Sequence, residues 1–136
     1  MASTVRVFQT RWFHRFTRRE RIAESLLLDA VARAERGLVD ADLGGGVVKQ
    51  RVARPGQGRS GGYRTIILLR AGTRAVFAYG FAKSDRGNIR PDELEALRAL
   101  ATELLGYDEE ALERALEAEA LVEVKGDGDA TEDLPE

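Results

Sequence analysis

The sequence predicts an α+β domain in which a short N-terminal strand and two helices precede an antiparallel three-stranded meander and C-terminal helices. Three observations lead to this prediction. Apolar residues recur at helical spacing between residues 20 and 38. Runs rich in β-branched and aromatic residues follow at 47–52, 63–70 and 75–81. The acidic segment after Pro91 again has helical spacing.

The first 20 residues predict a strand and a short helix. Val5–Phe8 alternates apolar and polar side chains as a strand does, and Trp12 and Phe16 lie four apart, as on one face of a helix over about residues 11–19. Residues 1–19 contain five arginines and no acid, which is also typical of mitochondrial transit peptides. Because these residues also have the pattern of folded elements, we expect a folded N-terminus and a cytoplasmic protein.

A longer helix is predicted over about residues 20–37. Apolar residues from Ala23 to Leu38 follow the spacing of an amphipathic helix, and Gly37 is typical of a helix end. Residues 40–46 (DADLGGG) are predicted to form a loop, because three consecutive glycines disfavour any regular element.

The central part of the chain predicts the antiparallel meander. A short glycine-containing turn at 71–74 joins the second β-type run to the third, which is the pattern of a hairpin. The first and second runs are joined by a longer loop at 53–62 (ARPGQGRSGG).

The C-terminal part predicts two acidic helices and a last short strand. Pro91 suits the first position of one helix, and Asp108 is a suitable N-cap for the next. Leu121–Val124 is expected to be a strand. We therefore predict one domain over residues 1–125 with C-terminal acidic helices, followed by a disordered acidic tail at 126–136.

Composition excludes several classes of function. The chain has 136 residues, enough for one domain, and has no apolar run near the ~20 residues of a membrane span. The absence of cysteine excludes disulfides, thiolate nucleophiles and Cys-containing zinc sites. A single histidine, His14, excludes multi-histidine metal sites. We therefore expect no cofactor, no metal ion and no membrane association.

The net charge of −2 conceals a strong asymmetry along the chain. Residues 1–90 carry 18 basic and 7 acidic residues, whereas residues 91–136 carry 3 basic and 16 acidic residues. Within residues 43–90 there are ten basic residues and one acid, Asp85. This distribution indicates a polyanionic partner for the basic part, or alternatively two oppositely charged parts that attract each other within one fold.

Basic side chains are expected to converge on one surface of the meander. Lys49 and Arg51 lie two apart on a predicted strand and therefore point to the same face, while Arg64 opens the neighbouring strand. Convergent cations suit the binding of a phosphodiester and the stabilisation of charge that develops on it. The alternative is a solvated basic edge strand that prevents aggregation. The candidate cations are Lys49, Arg51, Arg54, Arg59, Arg64, Lys83 and Arg86.

The order of elements, together with two stretches of sequence, resembles the RelE/HigB-type toxins of bacterial type II toxin–antitoxin modules. The stretches are RGLVDADLGGGVVKQRVARPGQGRSGGYRTIILLR and FAYGFAKSDRGNIRPDELEALRALA, and the resemblance covers roughly residues 5–105. It implies a RelE-like fold and an mRNA interferase, a metal-independent endoribonuclease that cuts mRNA on the ribosome and inhibits translation. It also implies a cognate helix-turn-helix antitoxin as the partner.

The resemblance also implies which residues carry the reaction. In this family the ribose 2′-hydroxyl attacks the adjacent phosphate and leaves a cyclic phosphate and a free 5′-hydroxyl. The family's basic-x-basic strand motif falls on Lys49 and Arg51. The arginine of its Gly-Tyr-Arg motif falls on Arg64. Its basic residues after the last core strand fall on Lys83 and Arg86.

Roles for these residues follow from that chemistry. Lys49 is the candidate base for the 2′-hydroxyl proton. Arg51 and Arg64 would hold the phosphate, because a guanidinium fork fits two of its oxygens. Lys83 would neutralise the leaving oxygen or serve as the base instead. RNA binding is assigned to Arg54, Arg59 and Arg86.

The sequence departs from the prototype at one position. Prototype members place a catalytic tyrosine shortly after the last strand, whereas Asn88–Arg90 contains none, and Tyr63 and Tyr79 lie elsewhere. The group that protonates the leaving oxygen is therefore left open. The alternative function is a non-catalytic RNA- or protein-binding module, a decayed toxin in which the same cations only bind.

Overall fold

The protein is described by a computed structural model over residues 5–54, 62–85 and 88–126, which form four helices and six strands. In chain order these are β1 (Arg6–Thr10), α1 (Arg11–Glu20), α2 (Glu24–Glu35), β2 (Ala41–Gly44), β3 (Val47–Val52), β4 (Tyr63–Arg70), β5 (Arg74–Ala82), α3 (Pro91–Leu105), α4 (Glu109–Glu117) and β6 (Leu121–Glu123). The α+β class predicted from the sequence is confirmed.

The described strands form one mixed sheet in the order β2-β3-β4-β5-β1-β6. β3, β4 and β5 are antiparallel neighbours, and β4 and β5 form the hairpin that the turn at 71–74 predicts. β1 pairs in parallel with β5 and antiparallel with β6. The first strand of the chain therefore lies inside the sheet, between segments that come much later in the sequence.

The sheet separates two apolar layers. On one side α1 and α2 pack on it, with Phe13 and Leu27 fully buried. On the other side α3 and α4 pack on it, with Ala101 and Leu112 fully buried. Full burial of a side chain as large as Phe13, Leu27 or Leu112 contributes about 1.5–3 kcal/mol. Because side chains alternate along a strand, each β residue belongs to one layer or the other.

Thr10 fixes the start of α1 against the sheet. Its hydroxyl accepts a hydrogen bond from the backbone N–H of Phe13 at 3.1 Å, as an N-cap does, and donates one to the carbonyl of Ala78 at 3.3 Å. The helix then crosses β5 at Gly80. A Cβ there would lie 2.9 Å from the ring of Phe16 and 3.0 Å from that of Phe13, so this close approach requires glycine.

Three sequence predictions around α2 are wrong. The helix begins at Glu24 rather than about residue 20, because Arg21 takes a left-handed conformation (φ 58°) that ends α1. It ends at Glu35, and Leu38 is 52% exposed rather than part of its buried stripe. The predicted loop at 40–46 contains β2, which pairs with β3. Pairing with β3, the next strand along the chain, makes this segment a strand, although its three glycines favour a loop.

The end of the described chain is attached to its beginning. Nε and Nη2 of Arg6 donate hydrogen bonds of 3.0 and 2.9 Å to the two carboxylate oxygens of Glu123. The backbone N–H of Gly126 donates to the carboxylate of Glu24 at 3.0 Å. Residues 127–136 lie outside the described residues, so the domain boundary at 125/126 and the acidic tail stay predictions. In the described ranges no helix is long and apolar enough to cross a membrane.

Candidate functional site

Alternation along β3 and β4 places three of the predicted site residues on one face of the sheet. Val48 belongs to the α1–α2 layer. Because successive side chains of a strand point to opposite faces, Lys49 and Arg51, which lie one and three residues after it in β3, point to the α3–α4 side. Arg64 shares its face with Ile66, which belongs to the α3–α4 layer. Arg51 and Arg64 are direct partners across the two strands.

These three cations surround the carboxylate of Asp40. The Oδ2 atom of Asp40 lies 3.5 Å from Nε of Arg64 and 3.9 Å from Nζ of Lys49. The Oδ1 atom lies 3.6 Å from Nη2 of Arg51. The Nζ atom of Lys49 also donates to Oδ1 of Asn88 at 3.4 Å, just before α3. We call the group of Asp40, Lys49, Arg51 and Arg64 the Asp40 cluster.

The Asp40 cluster is only partly open to solvent. The side chain of Arg64 is 9% exposed and that of Lys49 is 16% exposed, whereas that of Arg51 is 42% exposed. Arg64 is nearly buried because it lies in a central strand, between β3 and β5. Like charges repel more strongly in such surroundings than in water, and the Asp40 carboxylate offsets that repulsion.

Gln50 holds the segment that carries Asp40 against the sheet. Its Nε2 donates to the carbonyls of Ala30 at 3.0 Å and Leu38 at 2.9 Å, and its Oε1 accepts from the backbone N–H of Arg51 at 3.1 Å. The backbone N–H of Asp40 then donates to the carbonyl of Lys49 at 2.9 Å. These bonds fix the chain between α2 and β2 relative to β3.

Asp40 and Gln50 are the site residues that sequence analysis missed. Gln50 has a signal in the sequence. It is a polar residue that lies between Val48 and Val52 on the face of β3 that alternation assigns to the core, and a buried polar group needs hydrogen-bond partners. Asp40 has a weaker signal, an acid beside the basic segment, because its place beside Lys49 depends on the unpredicted strand β2.

The other predicted site residues are not brought into this cluster. Lys83 is exposed in the turn after β5, and within the described residues its side chain forms no ion pair with the cluster. The guanidinium carbon of Arg54 lies 5.5 Å from the ring centroid of Tyr63, whose side chain belongs to the α1–α2 layer. Arg54 therefore lies on the opposite side of the sheet from the cluster. Two predicted residues lie outside the described residues, namely Arg59 and Arg86.

An aromatic pair lies two strands from the cluster. Tyr79 shares a row across the sheet with Ile66 and Lys49. Trp12 packs on Tyr79 with their ring centroids 4.7 Å apart. Strands are spaced by about 4.8 Å, so the backbone of Tyr79 is about 10 Å from that of Lys49. Tyr79 is thus two strands away from Lys49 and does not belong to the Asp40 cluster.

The Asp40 cluster has the donors needed to bind an oxyanion. Two guanidinium groups and one ammonium group point to the same place, and charge-assisted hydrogen bonds from such groups are the strong ones for phosphate. Within residues 5–54, 62–85 and 88–126, no group of three or more His, Asp and Glu side chains is placed to hold a metal ion.

Comparison with known proteins assigns the family. The sequence profile of the family described as "RelE toxin of RelE / RelB toxin-antitoxin system" matches residues 5–124. A comparison with curated protein sequences gives no match. The matched range contains the whole Asp40 cluster and every described helix and strand. Because the match extends over most of its length, the chain belongs to the RelE toxin family of toxin–antitoxin systems.

Proposed function

We propose that this RelE-family toxin is a ribosome-dependent endoribonuclease that cleaves mRNA in the cytoplasm, inhibits translation and is neutralised by a helix-turn-helix antitoxin. Family membership implies a toxin that has an antitoxin partner. The observation that supports cleavage is the convergence of Lys49, Arg51 and Arg64 within 3.5–3.9 Å of one carboxylate. Cations in this arrangement match the charge of a phosphodiester and the charge added to it during attack.

In the proposed reaction a bond forms between the ribose 2′-oxygen and the adjacent phosphorus, and the bond from phosphorus to the 5′-oxygen breaks. The side-chain amine of Lys49 accepts the proton of the 2′-hydroxyl. Arg51 and Arg64 donate to the non-bridging oxygens and stabilise their added charge. Lys83 neutralises the charge on the leaving 5′-oxygen, which takes up a proton from water. The products are a 2′,3′-cyclic phosphate and a 5′-hydroxyl, and no metal ion is required.

The flanking RNA backbone is proposed to contact the arginines beyond the Asp40 cluster. Arg54 follows β3, and its position over Tyr63 requires the RNA to pass around the end of that strand. Contacts of this kind fix the register of the RNA without reading its sequence. The same role is proposed for Arg59 and Arg86.

A non-catalytic RNA- or protein-binding module is the second candidate function. The observation that favours it is the absence of tyrosine from Asn88–Arg90, together with the distance of about 10 Å, or two strand spacings, between Tyr79 and Lys49. In this alternative the Asp40 cluster binds a phosphate and does not promote its transfer.

Induced expression in a bacterium distinguishes the two candidates. The wild-type chain should arrest growth and translation, and the cut mRNA should carry 2′,3′-cyclic phosphate and 5′-hydroxyl ends. A Lys49→Ala, Arg51→Ala double variant should leave growth and mRNA intact, whereas Arg70→Ala, at the exposed end of β4, should act like wild type. Intact mRNA with purified wild-type protein and ribosomes would instead favour the binding module.

A further inference from the structure

The Asp40 carboxylate occupies the point on which the cations of the cluster converge. Its oxygens lie 3.5, 3.6 and 3.9 Å from the nearest nitrogens of Arg64, Arg51 and Lys49. A charge-assisted hydrogen bond between such groups has a length of about 2.7–2.9 Å. The carboxylate is therefore attracted to all three cations but is not hydrogen-bonded to any of them.

Arg64 retains an unused donor beside this carboxylate. Its side chain is 9% exposed, and its Nη1 atom is buried with no hydrogen-bond partner among the described residues. A buried donor on a charged group is costly to leave unpaired. An anion that reaches this atom would gain a bond that Asp40 does not make.

The side chain of Asp40 can rotate away from the three cations without any change in the sheet. Its backbone is fixed by the hydrogen bond from its N–H to the carbonyl of Lys49. Its side chain is 25% exposed, so rotation about its own bonds moves the carboxylate toward solvent. The cations remain where β3 and β4 hold them.

We propose that the Asp40 carboxylate is an internal competitor for the phosphate site. It occupies the site in the free toxin and is displaced when an RNA phosphate binds to Arg51, Arg64 and Lys49. Each of the two competing groups carries one negative charge and presents two terminal oxygens. Asp40 thus keeps the cations together in the free protein and lowers their affinity for other anions. The identification of RNA as the ligand rests on the proposed function. The competition between the Asp40 carboxylate and a phosphate group does not depend on it.

Inorganic phosphate is the probe that tests the competition directly. The Nε–H resonance of Arg64 in nitrogen–proton NMR spectra of the full chain reports binding at the cluster. Asp40→Asn should bind phosphate about fivefold more tightly or more, which is the effect of one unit charge at about 4 Å in water. Asp40→Ala should give a similar gain, because it too removes the carboxylate and keeps the backbone N–H.

Asp42→Asn is the matched control. Asp42 lies two residues along the same segment, and its carboxylate accepts a hydrogen bond from the backbone N–H of Gly44 at 3.0 Å. The substitution changes the net charge by the same amount, so its gain in phosphate affinity should be clearly smaller. Equal affinities for Asp40→Asn and Asp42→Asn, or weaker binding by both Asp40 variants, would overturn the proposal.

The test of the Asp40 competition can fail or succeed independently of the test of the proposed function. If Asp40→Asn binds phosphate more tightly but the wild-type chain neither cuts mRNA nor arrests growth, the competition stands and the proposed function fails. If the wild-type chain cuts mRNA but the Asp40 and Asp42 variants bind phosphate equally, the competition fails and the proposed function stands. Adding Arg64→Lys to Asp40→Asn should weaken phosphate binding relative to Asp40→Asn alone, because lysine lacks the buried Nη1 donor.

Discussion

The phenolic oxygen of Tyr63 donates a 2.9 Å hydrogen bond to Oε1 of Glu20, which joins the first residue of β4 to the last residue of α1. Burial of the phenol and this hydrogen bond both raise the pKa of Tyr63, since both disfavour the phenolate. The folded protein therefore favours the neutral phenol at the end of the strand that carries Arg64.

The free energy of unfolding should consequently fall as the pH rises above about 10, the ordinary pKa of tyrosine. Between that pH and the raised pKa of the folded protein, Tyr63 loses its proton only in the unfolded chain, which favours unfolding. Tyr63→Phe should remove this contribution, at a cost of about 0.5–1.5 kcal/mol at neutral pH from the lost hydrogen bond. Urea denaturation from pH 8 to about 11 measures both effects.

Tyr107→Phe is the control for this measurement. Burial and a hydrogen bond to Glu103 also raise the pKa of Tyr107, but Tyr107 lies beside Arg74, at the opposite end of β5 from Tyr63. In the Tyr107→Phe variant, the part of the loss of stability at alkaline pH that is due to Tyr63 should remain. An unchanged pH dependence in Tyr63→Phe would show that the phenol does not contribute in this way.

Arg64→Lys should reduce mRNA cleavage by about 10²–10³-fold, the usual cost of removing one transition-state donor. Lysine keeps the charge but lacks the planar fork. The free energy of unfolding should change by less than about 1 kcal/mol, because a buried Nη1 without a partner among the described residues is removed as well. Cleavage with ribosomes and thermal unfolding are the two measurements. Arg70→Lys is the control on the same strand, and full activity of Arg64→Lys would exclude Arg64 from the reaction.

Of the two candidate lysines, Lys49 should matter more for cleavage. It lies in the Asp40 cluster and is 16% exposed, whereas Lys83 lies exposed in a turn. Lys49→Ala should lower the cleavage rate by about 10²–10⁴-fold, as expected for a lost general base. Lys83→Ala should have a smaller effect, and Lys125→Ala, at the far edge of the sheet, should have none. A larger loss in Lys83→Ala than in Lys49→Ala would exchange the two roles.

Gly80→Ala should destabilise the contact between α1 and β5. The added Cβ would lie 2.9 Å from the ring of Phe16, and overpacking of this kind costs roughly 1–3 kcal/mol. Thermal or urea denaturation measures the loss. Phe16→Leu in the same chain makes room for the methyl group, so the double variant should be more stable than the sum of the single effects predicts. Simple additivity would show that the two residues do not clash.

The convergence of Lys49, Arg51 and Arg64 could be predicted because it depends on short-range rules. Residues two apart on a strand share a face, and neighbouring strands of a meander pair in register. Arg54 was expected on the same surface, but it lies beyond the end of β3 and packs over Tyr63 on the other side of the sheet. The alternation of side chains that places Lys49 and Arg51 together applies only within the strand.

The position of Asp40 was not predicted, because the glycines at 44–46 were interpreted as part of a loop rather than as the turn of a β2–β3 hairpin. Glycines at 44–46 suggest a loop, and they do form a turn with positive φ angles. The residues before these glycines form β2 because they pair with β3. The pairing of Ala41 with Lys49 places Asp40 beside the cations. The family description likewise identifies a toxin without assigning the carboxylate a role.

The place of β1 in the sheet has a consequence for the time at which the toxin becomes complete. Arg6 is joined to Glu123 across 117 residues of sequence. On a ribosome that adds about 5–20 residues per second, the first strand is made about 6–23 s before its last neighbour. During that interval β1 has no finished sheet to enter. The sheet around β1, and with it the fold of the toxin, is therefore completed only near the end of translation of the matched domain.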